Sequence, residues 1–280
     1  MIDWDAAYDN RGAVKDSPEY VMKWGEEAAR FRAHPEGAGN IELGISYGAL
    51  ERERLDIFHP TNFEREGSKG LIVFVHGGYW KTFDKNAWSH MAKGPLAHGW
   101  SVAIVSYSLV PEVRISHITK QINAAVECAA KLVKGPIRLS GHSAGGHLVS
   151  RLCCEDSLLS DKTLQRIEQL MSISGVHDLR PLLKLQMNEV FGLDAQEAEN
   201  ESPCLKAPHP LLAKKCDVTC WVGEDELPEF VRQNDFLAEA WKKLGMNITN
   251  VHFANRHHFS VIDDLAEAGS ELTQKLAAQN

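Results

Sequence analysis

The stretch from Pro136 to Val149 constrains the fold more than any other part of this sequence. It begins as a short apolar run, is interrupted at Gly141, and continues as small residues that favour a helix. At its centre Gly141, Ser143 and Gly145 form a G-x-S-x-G motif. Such a motif places a serine on a sharp turn between a strand and a helix, and its glycines let the two elements approach closely. An ordinary glycine-rich turn has the same pattern, so the motif alone does not establish catalysis.

Apolar runs and amphipathic segments alternate along most of the chain. The predicted strands are 45–48, 53–60, 71–75, 102–107, 167–174, 218–222 and 248–253. The predicted helices are 86–98, 116–133, 229–244 and 261–278. Leu71–Val75 is apolar at every position, which is typical of a parallel strand buried on both faces. The alternation predicts an α/β fold with a mainly parallel sheet and helices on both faces.

The 280 residues suit one large α/β domain, and two parts of the chain depart from the alternation. Residues 1–38 predict a helical N-terminal extension that docks on the larger part, with Ser17 as a helix N-cap before Pro18. The aromatic stripe of this extension, which includes Trp24, favours packing over function. Residues 178–215 predict a small cap excursion that forms part of a substrate pocket.

The composition argues against several classes of partner. The net charge of -8 does not suit a general nucleic-acid binder, which needs a basic face. No apolar run approaches the ~20 residues of a membrane helix, and the first residues lack the pattern of a signal peptide. We therefore expect a cytoplasmic protein whose six cysteines are reduced and mostly buried, with no metal site. The sequence leaves open whether the protein is a homodimer.

A serine hydroxyl needs a base, a group that orients the base, and donors for an oxyanion before it can act as a nucleophile. The segment His76–Trp80 follows the predicted strand 71–75 and contains two glycines. Its glycines let backbone N–H groups turn toward a ligand. We expect the oxyanion donors to be the N–H groups of Gly78, Tyr79 and Ala144, with Gly77 as a further candidate.

A carboxylate and a histidine are expected beyond the last two predicted strands. Glu224, Asp225 and Glu226 follow the penultimate strand, and Glu224, directly after a glycine, is expected to turn outward. Asp225 and Glu226 both remain candidates for the acid that orients the base. His257 and His258 follow the final strand, and one of them is expected to reach the serine.

Further side chains near the serine motif are expected to shape a pocket. Tyr79 and Trp80 are aromatic neighbours of the predicted oxyanion donors and are expected to form its walls. His142 lies inside the serine turn with no acid placed to orient it, so we expect it in the pocket wall rather than as a base. We expect His76 to fix the oxyanion loop by hydrogen bonding.

The motifs HGGYW at 76–80 and GHSAGGH at 141–147 together resemble the kynurenine formamidase (arylformamidase) group of α/β-hydrolases, which is related to the hormone-sensitive-lipase-type esterases. The resemblance extends over nearly the whole chain. Further matching stretches are 8–11 (YDNR), 47–48, 55–60 (LDIFHP), 174–182 (SGVHDLRPL) and 228–230 (PEF). It implies an α/β-hydrolase fold and a catalytic triad of Ser143, Glu226 and His258. Many relatives carry Asp at the position of Glu226, so this glutamate is a departure and Asp225 stays the alternative.

The resemblance implies a serine hydrolase that cleaves a small acyl or formyl substrate, such as N-formylkynurenine. The same chemistry fits a small-molecule carboxylesterase, because residues outside the triad decide the substrate. A more distant alternative is a ligand-binding member of the fold without catalytic activity. None of the three requires a metal or organic cofactor.

Overall fold

The computed structural model describes residues 2–278, in which eight strands form one sheet. The strands are β1 (Ala38–Ser46), β2 (Arg54–Pro60), β3 (Leu71–Val75), β4 (Ser101–Val105), β5 (Ile137–His142), β6 (Ile167–Ile173), β7 (Asp217–Gly223) and β8 (Asn247–Phe253). Their order across the sheet is β1-β2-β4-β3-β5-β6-β7-β8. β2 is antiparallel to both of its neighbours, and β3 to β8 are parallel. Residues 1, 279 and 280 of the predicted domain lie outside the described part.

Helices cover both faces of this sheet, which confirms the predicted α/β fold. The α-helices are α1 (Trp4–Tyr8), α2 (Asn10–Ala13), α3 (Ser17–Ala33), α4 (Phe63–Glu66), α5 (Lys93–Ala97), α6 (Ile115–Leu132), α7 (Ala144–Leu152), α8 (Asp161–Leu164), α9 (Asn188–Phe191), α10 (Ala195–Asn200), α11 (Pro228–Lys243) and α12 (Glu271–Ala277). Short 3₁₀ helices are Lys85–Ala92, Arg180–Lys184, Pro203–Leu205 and Asp263–Ala266. Between residues 2 and 278, no helix has the length and apolar character needed to cross a lipid bilayer.

The central strand β3 explains why the sheet is buried on both sides. All five of its residues are buried, and successive side chains point to opposite faces. Leu71, Val73 and Val75 join the apolar cluster that includes residues of α6, α7 and α11. Ile72 and Phe74 join a second cluster with residues of α3 and α12. Each face therefore has its own hydrophobic core, as the uninterrupted apolar run predicts.

The parallel strands bring the predicted site residues to one edge of the sheet. The segment 76–80 follows β3, Ser143 follows β5, and the segments 224–226 and 254–258 follow β7 and β8. The carboxyl ends of parallel strands lie side by side, and this is the edge where open α/β sheets bind ligands.

The structure corrects the sequence-based reading at two helix starts. Helix α3 begins at Ser17 with Asp16 as its N-cap residue, and the Ser17 hydroxyl donates to the Arg11 carbonyl instead of capping. The predicted helix 86–98 is a 3₁₀ helix followed by α5, because Pro95 has no N–H to continue the hydrogen bonds of a preceding helix.

The predicted C-terminal helix 261–278 is also wrong in its length. The chain forms a 3₁₀ helix at Asp263–Ala266 and then, after Gly269, the separate helix α12. Ser270 begins that helix as a true N-cap, since its hydroxyl accepts the Thr273 N–H. The serine cap and the glycine therefore divide a segment that the apolar spacing alone makes continuous.

The N-terminal extension packs as α1, α2 and α3 against the rest of the chain. The buried Tyr8 hydroxyl donates to Glu229 Oε1 at 2.7 Å and accepts from Gln233 Nε2 at 2.8 Å, both on α11. Trp24 of α3 is also buried, and its Nε1 donates to Asp263. In the predicted cap region 178–215, the structure has only short elements, α9, α10 and two 3₁₀ helices.

Gly145 provides a direct test of the packing between α7 and β3. A Cβ at this position would lie 1.9 Å from the Val75 carbonyl oxygen, which is backbone and cannot rotate away. Gly145→Ala should therefore lower the free energy of unfolding by about 3 kcal/mol, measured by urea denaturation.

Gly25, within helix α3, is the matched control, because a Cβ there would have no neighbouring atom within 4 Å apart from the backbone of its own helix. Gly25→Ala should raise the free energy of unfolding by about 0.5–1 kcal/mol, since alanine loses less conformational entropy in a helix. Equal effects of the two substitutions would contradict the close approach at Gly145.

Candidate active site

Ser143 is the single residue between β5 and α7, and its backbone has a conformation that residues with a Cβ rarely adopt. Its φ of 56° and ψ of -119° are sparsely populated for a residue with a Cβ. The Ser143 N–H donates to the Ile173 carbonyl at 2.8 Å, which ties the turn to β6. A Cβ on Gly141 would lie 2.3 Å from the Gly145 carbonyl oxygen, so the turn closes only with glycine there. Strain of this kind persists where the surrounding structure imposes it, most often at functional sites.

Glu226 and His258 form a buried pair at the ends of β7 and β8. His258 Nδ1 and Glu226 Oε2 are 2.7 Å apart, and both side chains are almost fully buried. The other carboxylate oxygen accepts from the Ser174 hydroxyl and from the Gly223 N–H. These three hydrogen bonds fix the orientation of the Glu226 carboxylate. Since an ionised carboxylate only accepts, His258 Nδ1 carries the proton of the bond between them. His258 Nε2 is then the nitrogen left to accept a proton.

The neighbouring candidates for acid and base lie elsewhere. Asp225 and Glu224 are exposed. The carboxylate that His258 contacts is that of Glu226. His257 Nδ1 accepts the N–H groups of Phe259 and Ser260, and its ring packs edge-on against Tyr20. Burial thus separates the two carboxylates between which the sequence alone could not choose.

The loop after β3 brings backbone N–H groups next to Ser143. Gly78, Tyr79 and Trp80 have φ values of 104°, 51° and 54°, so three consecutive residues are left-handed. A Cβ on Gly77 would lie 2.9 Å from the Ser143 Cβ, which shows how closely the two backbones approach. The His76 ring contacts the Gly77 carbonyl through Nδ1 at 2.8 Å, in keeping with the expected role of His76 in fixing this loop.

The amides of this loop are available to a ligand. Those of Gly77, Gly78 and Tyr79, together with that of Ala144 at the start of α7, donate to no turn, loop or cap acceptor within residues 2–278. Backbone amides without an acceptor can donate to an oxyanion that forms nearby.

Trp80 is a correction to the sequence-based pocket. Its side chain is fully buried and packs edge-to-face against Phe191 and His147, away from the cavity beside Ser143. Tyr79 also contacts Phe191, but of these two aromatic side chains it alone lines the cavity. Tyr79 lines the cavity, and its hydroxyl donates to the Tyr8 carbonyl at 2.5 Å.

A cavity of about 240 Å³ lies beside Ser143 and His258. Residues of the N-terminal extension form a large part of its wall: Tyr8, Asp9, Asn10, Arg11, Val21 and Trp24. Other wall residues are Lys81, Phe83, Trp88, His142, Met187 and Phe259. The sequence favoured packing over function for Trp24, which is buried in the core and also lines the cavity. The matching stretch 8–11 was a signal that this extension takes part in the site.

Met187 is the contribution of the predicted cap region to the cavity wall. It precedes the short helix α9, whose Phe191 stacks on Tyr79 with ring centroids 6.3 Å apart. The region therefore supports the oxyanion loop from outside and closes one side of the cavity.

His142 lies in the cavity wall, as expected, and in a role that is not that of a base. Its Nε2 is 3.0 Å from the His258 carbonyl oxygen, and since a carbonyl only accepts, Nε2 carries the proton. Burial, with the nearby His258 as a lesser cause, holds the pKa of His142 well below its ordinary value. His142 is therefore a neutral donor that fixes the backbone of the loop bearing His258.

Other histidines around the site are buried in the same neutral state. Burial lowers the pKa of His76 to about 4 and those of His147 and His177 to about 3. Within residues 2–278, no group of three or more His, Cys, Asp or Glu side chains could hold a metal ion.

Several known proteins are similar in sequence to this chain over most of its length. The BD-FAE family model matches residues 55–235. A kynurenine formamidase from Salmo salar is 30% identical over 263 residues, which cover 91% of this chain and 85% of that protein. A kynurenine formamidase from Danio rerio is 26% identical over 261 residues, again covering 91% and 85%.

Solved structures show the same architecture. The crystal structure of a proposed thioesterase from Silicibacter sp. has a TM-score of 0.88 at 42% identity, covering 99% of this chain and 100% of that one. An esterase from Pyrobaculum calidifontis has a TM-score of 0.70 at 18% identity, covering 99% and 94%. The second likeness concerns the fold alone.

The buried histidines predict a loss of stability in mild acid. Their folded pKa values lie below the unfolded value of about 6.5, so the unfolded chain binds more protons between these values. The stability is complete above about pH 7, and each group should remove on the order of 1–2 kcal/mol as the pH falls to about 5. Urea denaturation at several pH values measures this dependence.

A variant at His147 separates this cause from others. His147 Nε2 contacts the Glu201 carbonyl at 2.7 Å, and the amide of His147→Gln can still donate to that oxygen. In this variant the free energy of unfolding should fall less between pH 7 and pH 5, by the contribution of one buried histidine. A urea midpoint that does not change between pH 7 and pH 5 in the wild type would contradict burial of these rings in the neutral form.

The pairing of Glu226 with His258 predicts which carboxylate matters for the reactivity of Ser143. Glu226→Gln should slow labelling of Ser143 by a fluorophosphonate by about 10³–10⁴-fold, because an amide does not stabilise the imidazolium. Asp225→Asn makes the same chemical change one position away on an exposed residue, and should alter the labelling rate by no more than about twofold. The reverse order would assign the acid to Asp225.

Proposed function

This chain belongs to the kynurenine formamidase family of BD-FAE-type α/β-hydrolases, and we propose that it hydrolyses an N-formyl aromatic amine such as N-formylkynurenine. Membership confirms the family resemblance seen in the motifs at 76–80 and 141–147, and the chain is a serine hydrolase of the arylformamidase or esterase type. The observation that carries the proposal is that Ser143 and His258 line one small cavity with aromatic walls, while Glu226 lies 2.7 Å from His258 Nδ1.

In the proposed mechanism, His258 Nε2 takes the proton of the Ser143 hydroxyl while its oxygen attacks the formyl carbon. The carbonyl electrons move onto the oxygen, which becomes an oxyanion. His258 then gives the proton to the leaving amine as the C–N bond breaks. Water then attacks the formyl ester of Ser143 while His258 Nε2 takes its proton. The ester C–O bond breaks, the proton passes to the Ser143 oxygen, and formate is released. Glu226 holds the histidine tautomer throughout, which its 2.7 Å contact with Nδ1 supports.

The proposed oxyanion hole consists of the N–H groups of Gly78, Tyr79 and Ala144, with Gly77 as an additional donor. Their support is the left-handed backbone at 78–80 and the contact between the Gly77 and Ser143 positions. Preorganised amides act where charge develops, and removal of one such donor costs about 10²–10³-fold in rate. Neither a metal nor an organic cofactor takes part in these steps.

The cavity supports a small substrate with an aromatic body. Its volume of about 240 Å³ is below the usual range for drug-sized ligands, ~300–1,000 Å³. Trp24, Tyr79, Phe83 and Phe259 supply aromatic surfaces against which a ring can pack. A formyl group is the smallest acyl group and requires no acyl pocket beyond the oxyanion donors.

A carboxylesterase on small acyl esters is the second candidate. The 42% identical relative described as a thioesterase favours it, because thioesters and esters use the same serine and oxyanion donors. The leaving group then decides between the two functions, since the mechanism up to the acyl-enzyme is shared.

We also propose a cytoplasmic location. All six cysteines are free, and five of them are buried. Free thiols are the rule in the reducing cytosol and are less common in secreted proteins.

Turnover of two substrates tests the proposal. Purified wild-type protein should release formate from N-formylkynurenine, and Ser143→Ala should lower kcat/KM by at least about 10³-fold while its circular dichroism spectrum stays unchanged. p-Nitrophenyl acetate serves as the ester comparison. Brisk cleavage of this ester with no formamide turnover would contradict the arylformamidase and favour the esterase. Retained activity in Ser143→Ala would overturn both.

A further inference from the structure

We propose that Arg11 and Lys81 form a subsite for an anionic group on the non-reacting end of the substrate, and that this group is a carboxylate. The inference rests on the proposed function, since it describes what else the substrate of the same site carries. It concerns specificity, because neither cation belongs to the machinery that breaks the bond.

The two cations reach the cavity from distant parts of the chain. Arg11 lies in α2 of the N-terminal extension, and Lys81 directly follows the oxyanion loop, where its N–H donates to the Gly78 carbonyl at 3.0 Å. Both line the cavity that Ser143 and His258 also line. Docking of the extension through Tyr8 and α11 therefore brings a second positive charge to the site.

Neither side chain is paired within the part of the chain that the structure describes. Across residues 2–278, no ion pair or side-chain hydrogen bond involves the Arg11 guanidinium or the Lys81 ammonium. Elsewhere the cations near buried carboxylates are paired, as Arg32 and Lys85 are with Asp56. Arg11 is exposed and Lys81 half-buried, so water solvates both cations, and an anionic group of a ligand in the cavity can take the place of that water.

The charge balance of the cavity favours an anion. Asp9 is the other charged residue of the wall outside the catalytic pair, and its Oδ1 accepts the Gly12 N–H at 2.9 Å as part of the cap of α2. Glu226 lies behind His258 and is paired with it. The cavity wall thus has two cations and one carboxylate, and that carboxylate already accepts a backbone N–H.

The size of the cavity favours a carboxylate over a larger anion. About 240 Å³ accommodates a single ring with a short side chain, and the apolar part of the cavity wall includes Val21, Phe83 and Met187. An acyl-coenzyme A thioester would present phosphates with the same charge chemistry, and its carrier exceeds this volume. The test therefore contains both anions.

The experiment compares substrates with and without the carboxylate. kcat/KM is measured for N-formylkynurenine and for N-formylkynuramine, which lacks only the carboxyl group, in the wild type, Arg11→Gln and Lys81→Gln. Each variant should reduce the preference for the carboxylate substrate by about tenfold, mainly through KM, because a charge-assisted hydrogen bond is lost. Arg11→Lys should retain most of the preference.

Lys120→Gln is the matched control, because Lys120 is exposed on α6 and does not line the cavity. It removes the same charge from the protein and should leave the preference unchanged. A preference that Arg11→Gln and Lys81→Gln do not alter, or that Lys120→Gln alters equally, would overturn the subsite.

Two further arms identify the anion and keep the test independent of formamidase activity. Phenyl acetate and 4-acetoxybenzoate differ by a carboxylate and are cleaved by an esterase, so the same variants show the preference even without formamide turnover. Acetyl-coenzyme A is the phosphate arm. Loss of its turnover in Arg11→Gln and Lys81→Gln, with both carboxylate preferences intact, would overturn the carboxylate assignment in favour of phosphate.

Discussion

Three backbone segments pack closely around Ser143, and each contact occurs at a glycine, where no side chain separates the segments. A Cβ on Gly145 would lie 1.9 Å from the Val75 carbonyl oxygen, and one on Gly77 would lie 2.9 Å from the Ser143 Cβ. Helix α7, strand β3 and the loop after it can therefore approach within backbone contact. That contact holds Ser143 at its positive φ and brings the loop after β3 beside the serine. The geometry of the site follows from this packing.

The N-terminal extension completes what the sheet begins. The strand ends position the serine, the acid and the histidine, while the extension supplies much of the cavity wall and one of its two unpaired cations. Its attachment through Tyr8 to Glu229 and Gln233 connects residues more than 220 positions apart. The cavity beside Ser143 and His258 is thus built by the strand ends together with an extension from the other end of the chain.

The parts of the structure that depend on local sequence were predictable. The sheet and the loops carrying Ser143 and His258 could be located, because each follows an apolar strand directly. What depends on distant contacts was not. Tyr79 lines the cavity while Trp80 is fully buried against Phe191 and His147, and the sequence does not display the left-handed backbone at both positions. Residue type and position left Asp225 and Glu226 both open, and the family resemblance alone implied Glu226. The structure pairs Glu226 with the histidine through burial, which is a property of the folded chain.

The central claim is that Ser143 attacks the substrate and carries its acyl group during turnover. Mass spectrometry of the protein, quenched with acid during hydrolysis of p-nitrophenyl acetate and then digested, tests it most directly. The account predicts one acetyl group on the peptide that contains Ser143, absent from the Ser143→Ala variant. Turnover without that acetyl group, or with the acetyl group on another residue in the wild type, would contradict it.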